Sequence, residues 1–600
     1  MARHSYLLEL LRRAAAAIDA ALKHRRFPLI IAVLAALAMV SALGGGWQLD
    51  DWFQRSRILG YGDANPIQIF VPYDGNPLHN QQQMAFGTLP WWASRHLHLA
   101  FFRYASTLST LLDYRLWPDH PALMHLHSLL WLAAAVLAAA LLYRELLGAT
   151  WVAGLAALLY ALDGAHAVPA AYLADRNALI AACFGFFSIL TFVRCREHER
   201  RSQGWLSALL FALALSAGEI GLATAAYLLA YALTLDRGPL WTRIRGLLAH
   251  GGVLGVWALV YRLGNFGSNG SGFYVDPLRE PVGFAAAFWQ HAAFLLMGQW
   301  TPVPAELSLV FAPGTPAALY LRVFSIAVVA VLAALFIPLA LCDRVARFWT
   351  LGAVLSLVPI AAVGPENRLL GFVGLGSMGL LAQLAQVAFA RVSSGTAPGL
   401  WKRFSQAAVM VLLPLHLLAA PLLGVERIAY QAKASSRMMR AIASVPSGAR
   451  IASQTLVLVN PPDHIYLVTA IPVVKQLEKL PMPLRIRALS SGSALEITRT
   501  GPRSLSVRFL TEFFPTAFSR FARSRNDRFF AGQRLQLPGL LVAVQSLNAQ
   551  GDPEQVLYRF SVPLDDPSLR WMRWKEGGYV PWTPPPIGQT VRLRAAHGIF

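Results

Sequence analysis

Over the first two thirds of this chain, apolar residues come in blocks rather than in stripes. A run from Pro28 to Leu43 ends at Gly44-Gly45-Gly46 and is followed by Leu49-Asp50-Asp51-Trp52, so two adjacent carboxylates stand where a membrane span would meet water. Further runs at about 123–143, 150–163, 178–194, 205–217, 220–235 and 247–263 each approach the length that crosses hydrocarbon. The series continues at about 317–341, 349–363, 369–390 and 406–424. Arg144, the group Arg194 to Arg201, and Arg237 with Arg243 and Arg245 fall on one side, which the positive-inside rule makes cytoplasmic. Counting Val282 to Trp300 as a span would put Arg344 and Arg347 outside, so 282–300 is expected as a non-crossing external or re-entrant helix. The prediction is about eleven crossings, with 28–424 as the membrane domain and the C-terminus external.

Residues 1–27 read as a cytoplasmic amphipathic lead, because Arg12, Arg13 and Lys23 stand among Leu and Ala. A cleavable signal peptide competes, since Val40-Ser41-Ala42 loosely resembles a cleavage site, but the long basic lead and the later spans favour a retained anchor. The stretch 47–121 is then a long external loop, with Trp91-Trp92 suited to an interfacial position. After about residue 425 the apolar runs shorten and alternating stretches appear at Ser453–Val459, Ser504–Leu510 and Val556–Val562. With a turn at Gln536–Leu540 and a helix within Ile465–Leu480, residues 425–600 are expected to form a soluble external α+β domain.

Composition supports the membrane reading. A chain of 600 residues that is 56% hydrophobic and 14% charged cannot cover a globular surface with polar groups. The net charge of +21 would suggest nucleic acid in a soluble protein, but here the basic excess flanks apolar runs, where topology and anionic lipid account for it. No nucleic-acid partner is expected. Cys183, Cys195 and Cys342 have no metal-ligand spacing and no pairing framework. Dinucleotide fingerprint, P-loop, nucleophile elbow and solenoid repeat are all absent from the sequence.

On that topology the outer loops carry Asp50 and Asp51, then Arg103 and Asp113, then His166, Asp175 and Arg176, then Glu219, and finally Glu366 and Arg368. A carboxylate can take a proton from a hydroxyl nucleophile, and a guanidinium binds phosphate through a planar fork of donors. The pattern suggests a base beside a phosphorylated leaving group. Ion pairs that tie loops together are the competing reading. Glu219, between two apolar runs, is expected to face a polar cavity or an arginine, and His166 is a proton carrier or a hydrogen-bonded structural residue.

The order of features resembles the polytopic GT-C class of glycosyltransferases, in particular the branch of protein O-mannosyltransferases and tetratricopeptide-containing membrane mannosyltransferases. The residues that carry the resemblance are Leu49-Asp50-Asp51-Trp52, Arg103 to Ser109 with Leu112 to Trp117, His166 to Leu173 with Asp175-Arg176-Asn177, Gly218-Glu219, and Arg368-Leu369-Leu370. Two departures stand out. The third motif runs Asp175-Arg176 where relatives have Arg-x-Asp, and the C-terminal region shows neither a tetratricopeptide pattern nor a sugar-binding trefoil.

The resemblance implies transfer of a sugar from a polyprenyl-phosphate carrier to a protein or glycan acceptor, at the outer face of the bacterial inner membrane. Asp50 would be the general base and Asp51 would orient acceptor or sugar. Arg103, Arg176 and Arg368 would bind the lipid phosphate, with Asp113, His166, Asp175 and Glu219 in support. Some members use a divalent metal, Mg or Mn, and others do not, which the sequence leaves open; no metal ligand is assigned. A transporter or lipid flippase is the first rival, because intramembrane acids also mark substrate paths, although no pair of broken helices repeats in two halves. A non-enzymatic envelope-assembly scaffold is the second.

Overall fold

The computed structural model describes residues 2–61, 65–311, 314–390, 399–596 and 598. Helix α1 (Ala2–Lys23) leads into α2 (Phe27–Ala38), prolonged by a 3-10 turn at Val40–Gly44. The stretch 47–121 that follows, expected as a loop, is not a bare one. It folds into α3 (Asp50–Ile58), α4 (Pro77–Phe86) and α5 (Tyr104–Leu116), with strands β1 (Tyr73–Asp74) and β2 (His98–Ala100). Next come α6 (Pro121–Leu147), α7 (Trp151–Ala161), α8 (Ala167–Ala171), α9 (Asn177–His198), α10 (Arg201–Ala217), α11 (Ala223–Thr234), α12 (Leu240–Arg245) and α13 (Leu248–Leu263). Strand β3 (Gly267–Asn269) completes a small antiparallel sheet β1-β2-β3. The membrane part closes with α14 (Pro281–Trp300), α15 (Leu307–Val310), α16 (Pro316–Cys342), α17 (Arg344–Ile360) and α18 (Gly371–Phe389). Finally α19 (Leu400–Pro414) and α20 (Ala420–Ala443) join through a π-turn at Leu415–Ala419.

The chain is a multi-pass membrane protein. Among the described residues, seven helical segments are long and apolar enough to cross a bilayer: 27–44, 121–147, 151–171, 173–198, 316–342, 371–389 and 400–443. Segments expected as spans at 205–217, 220–235, 247–263 and 349–363 are also helices, but of only 16 or 17 residues, so length and apolarity do not by themselves give eleven. Close packing inside the bundle relies on small residues, since lipid offers no hydrophobic drive between helices. Gly352 lies against the Tyr227 ring, and Gly376 and Gly379 lie against Trp349. Helix α14 is 20 residues long and runs in the same direction as α16, with Arg322 donating to Gln290 (3.4 Å) and Trp300 against Phe336 (4.9 Å between rings). Glu280, at the start of α14, accepts from Asn526 of the C-terminal region (2.8 Å), and five residues beyond the end of α14 the Ala305 N–H donates to Asn367 (2.9 Å).

The C-terminal region is the expected α+β domain. Strands β4 (Thr455–Leu458) and β5 (Arg485–Ala488) pair in parallel across a crossover containing a π-turn at Ile465–Thr469 and α21 (Ala470–Leu477). Then follow β6 (Leu495–Gly501), β7 (Ser504–Phe509), β8 (Arg534–Leu537), β9 (Leu540–Leu547), β10 (Pro553–Phe560), β11 (Leu569–Lys575), β12 (Gly578–Pro581) and β13 (Thr590–Leu593). They form an antiparallel sheet β13-β6-β7-β10-β9-β8 and a mixed sheet β12-β11-β4-β5. Alternation puts Ile497, Val507 and Val556 in register on one inward face. The turn expected at 536–540 joins β8 to β9, with Gly539 at φ +79°.

Two sequence expectations need correction. Residue 425 is not a domain boundary, because the helix that crosses there continues from 400 to 443, about 66 Å at 1.5 Å per residue. The shift in composition marks where that helix leaves the apolar phase. Nor do Trp91 and Trp92 lie at a lipid interface: they are 7% and 1% exposed, packed in one core with Val507, Val556 and Tyr558. The stretch 47–121 and the C-terminal region therefore share a core. Gly87 marks the seam, at φ +113° and so close to β5 that a Cβ would stand 1.9 Å from the Ile486 carbonyl oxygen.

Candidate active site

Helix α3 starts immediately after Leu49, which adopts φ +40°, ψ −107°, a conformation costly for a side chain of that size. The two aspartates that follow point to different partners. Both oxygens of Asp51 are taken by backbone, accepting the N–H of Gln48 (2.8 Å) and of Ala174 (2.7 Å). Burial is the main cause that pushes its carboxyl up to about 8, partly opposed by those two hydrogen bonds. With 2% of its surface exposed, Asp51 is a staple between the first outer turn and the turn at 172–175. Each oxygen thus has one backbone partner, and almost none of the side chain is open to solvent.

Asp50 is only partly covered. Its N–H donates to the Tyr172 hydroxyl (3.0 Å), and the Tyr172 and Tyr466 hydroxyls lie near its carboxyl. Burial raises its pKa above the ordinary carboxylate value, while those hydroxyls and the charges of Arg368 and Arg103 pull it back. A carboxyl raised in this way lies closer to the operating pH of a general base.

Arg368 stands across from it. Its Nη1 pairs with Asp175 (2.8 Å), and Nε and Nη2 fork onto Glu366. That uses three of the five N–H groups a guanidinium offers. On another side Arg368 borders a narrow apolar crevice lined by Tyr160, Ala165, Pro169, Leu179, Ile220 and Phe372. Arg103 pairs through Nε with Glu219 (3.3 Å), while Glu219 also accepts the Phe102 N–H (2.8 Å). The Arg103 guanidinium lies over the Phe101 and Phe70 rings at 4.6 and 5.2 Å.

Arg176 is placed differently from the expectation that it binds phosphate. It pairs with Asp113, donates to Ser128 Oγ (2.8 Å) and the Met124 carbonyl (2.6 Å), and is 2% exposed. Asp113 is fully buried and also accepts from His127 (2.6 Å). This closed cluster ties α5, α6 and the start of α9 together, so Arg176 and Asp113 are corrected to structural roles. His166 takes the second of its two expected forms, a hydrogen-bonded structural residue: buried, it donates from Nε2 to the Tyr160 carbonyl (2.7 Å) and packs edge-on to the Tyr160 ring. Of the residues expected at the site, the fold gathers Asp50, Arg103, Asp175, Glu219 and Arg368, and sets Asp51, Asp113, His166 and Arg176 behind them. All stand at the end opposite the basic loops, where Arg144 holds the His24 carbonyl and Arg344 the Thr234 carbonyl.

Sequence reasoning missed three tyrosines. Tyr172 and Tyr466 face Asp50, and Tyr274 lies within the field of Arg368, Arg103 and Asp50. Tyr172 stood inside the quoted stretch His166 to Leu173 but was given no role of its own; Tyr274 and Tyr466 carry no motif, and Tyr466 comes from the far domain, so no local signal marked those two. Among the described residues no group of three or more His, Cys, Asp and Glu is arranged to hold a metal ion; Glu366 gives both oxygens to Arg368 and Asp175 gives Oδ1, while Asp175 Oδ2 is buried without a hydrogen-bond partner.

No protein-family model and no curated protein matches the chain. Among solved structures, ArnT from Cupriavidus metallidurans is similar at 14% identity and a TM-score of 0.35, over 76% of this chain and 88% of that one. The oligosaccharyltransferase AglB from Archaeoglobus fulgidus, solved with an inhibitory peptide and a dolichol-phosphate, is similar at 13% identity and a TM-score of 0.38, over 76% and 64%. The arabinofuranosyltransferase AftD from Mycobacteria is similar at 14% and 0.33, over 91% and 42%. Likeness at this level transfers neither fold nor activity.

Proposed function

We propose that this protein is a GT-C-type glycosyltransferase that moves one sugar from a polyprenyl-phosphate carrier to an acceptor hydroxyl at the outer face of the cell's inner membrane. The observation that carries the reading is the juxtaposition of Asp50 with Arg368 and Arg103, at the end of the bundle away from the basic loops. The outer domain and the non-crossing α14 would wall the site from water.

In the reaction, Asp50 takes the proton of the acceptor hydroxyl. The freed oxygen bonds to the anomeric carbon as that carbon's bond to the carrier phosphate oxygen breaks, and the electron pair leaves with polyprenyl phosphate. Arg368 and Arg103 face the charge that develops on the phosphate, a preorganised term worth more in a site shielded from water. A single displacement inverts the anomeric carbon. Asp175 and Glu366 hold Arg368 in place, and Glu219 does the same for Arg103.

Asp50→Asn is the test. In proteoliposomes given labelled polyprenyl-phosphate sugar and a membrane-extract acceptor, it should cut transfer by at least about 100-fold, with unchanged helical circular dichroism. Turnover at the wild-type rate removes Asp50 as the base.

A further inference from the structure

Helix α5 buries its polar side and exposes its apolar one. Ser106, Thr107, Ser109, Thr110 and Asp113 are buried. Tyr104, Leu108, Leu112 and Leu116, four apart and so on one face, are 37%, 67%, 49% and 55% exposed. A helix lying on a protein in water turns the other way. The buried groups need no water either. Ser106 Oγ donates to the Ala217 carbonyl (2.7 Å), Thr107 and Thr110 donate back to the Arg103 and Ser106 carbonyls (3.0 Å each), and Asp113 is held by His127 and Arg176. Such internal satisfaction is what hydrocarbon demands of a helix.

The same contacts fix how deep α5 lies. Asp113, in its last turn, meets His127, and the run from His127 to Arg144 on α6 rises about 26 Å at 1.5 Å per residue. Ser106, in its first turn, meets Ala217, and the run from Arg201 to Ala217 on α10 rises about 24 Å. Both ends of α5 therefore stand at nearly one height, within the roughly 30 Å of hydrocarbon that begins at the basic loops. Tilt of α6 or α10 only lowers them. The lipid-facing surface of the bundle also runs into the stripe. Beyond one end, the span α6 exposes Leu126 and Leu130; at the other, Tyr104 meets Phe266 (6.1 Å between rings), close in the chain to exposed Leu259 and Leu263 of the apolar α13.

We propose that α5 is an interfacial helix, lying flat in the leaflet opposite the basic loops with Tyr104, Leu108, Leu112 and Leu116 among the acyl chains. Lipid is the occupant of the stripe, in preference to a second copy of the chain, because the depth is that of hydrocarbon and the stripe continues span faces. Arg115, exposed in the last turn, reaches the headgroups with its charge while its stem covers apolar surface. Arg103, immediately before the helix, is held where that leaflet turns polar. This placement holds whether or not the chain transfers sugar.

The test reads the surroundings of the stripe and no turnover. Full-length protein with Cys183, Cys195 and Cys342 replaced by serine is reconstituted in vesicles of equal parts phosphatidylethanolamine and phosphatidylglycerol. Spin labels are attached one at a time through Leu108→Cys, Leu112→Cys, Leu130→Cys or Arg508→Cys. Labels at positions 108 and 112 should relax faster with oxygen than with a water-soluble nickel chelate, as at 130 in the span, and the label at 508, on an exposed strand, should do the reverse. A preference for the chelate at 108 and 112, or access to neither agent, overturns the proposal. If the cysteine-free protein does not fold, Leu108→benzoylphenylalanine in the otherwise native chain decides the matter. Ultraviolet light should then give an adduct heavier by one phospholipid; a crosslink to another protein chain, or no adduct, overturns the proposal.

Discussion

Asp175 and Arg176 are neighbours in the chain, and each ends in an ion pair, yet the two pairs do opposite things. Asp175 turns to Arg368, whose side chain keeps 21% of its surface exposed. Arg176 turns to Asp113, where the two side chains keep 2% and 0%. In the closed pair every nearby acceptor belongs to the fold: Ser128, Met124 and His127 surround the guanidinium and its carboxylate. In the open pair two N–H groups lie outside the bonds to Glu366 and Asp175. An arginine and an acid at a membrane face are thus either a frame or a receptor for an anion, and solvent access decides which.

The largest effect that would break this contrast is on stability. Asp113→Ala leaves the Arg176 charge buried and unpaired, which should cost about 3–5 kcal/mol in thermal or denaturant unfolding in detergent. An unchanged midpoint would mean the cluster is wetter than its burial implies. Next, Arg368→Gln should lower sugar transfer by about 100-fold and weaken inhibition by added polyprenyl phosphate, with a much smaller loss of stability than Asp113→Ala. Full activity would return Arg368 to the frame.

The third effect is a pH slope. Asp51 has a folded pKa of about 8, above its unfolded value of 3.8, so it binds its proton more tightly when folded. Its contribution to stability is complete below the unfolded value and is lost as pH rises through the folded one. The unfolding midpoint should therefore fall between about pH 5 and pH 8, and Asp51→Asn should flatten that fall. The smallest effect is a control: Arg508→Ala removes an exposed cross-strand pair with Glu554 (3.3 Å), and should change stability by less than about 1 kcal/mol.

Much of the helical framework was legible from apolar run length. The strands within 453–459, 504–510 and 556–562, the helix within 465–480 and the turn at 536–540 followed from alternation and from Pro538-Gly539. Glu219 was legible as an acid in need of a partner, because nothing near it in the chain could solvate it; the partner, Arg103, is 116 residues away. The roles within Asp50-Asp51 and Asp175-Arg176 were not legible. Successive residues at a helical start point about 100° apart, so only one of two neighbours can face a given cavity. Trp91 and Trp92 misled for a related reason: an aromatic pair beside a span suits a lipid interface and a protein core equally well until the second domain arrives to cover it.

By itself the sequence determined that the chain lives in a membrane, where its apolar helices run, and that acids and arginines collect at their ends. Those properties are local: hydrocarbon thickness sets run length, and the cost of a buried charge keeps ionisable groups at the margins. Only the tertiary structure decided that Arg368 meets Asp175 across 193 residues, that Arg176 is sealed behind it, and that Tyr466 of the C-terminal domain packs with Leu49 and Tyr172 beside Asp50. Burial and partner choice at those positions depend on what packs from elsewhere in the chain, and a linear pattern holds no record of that.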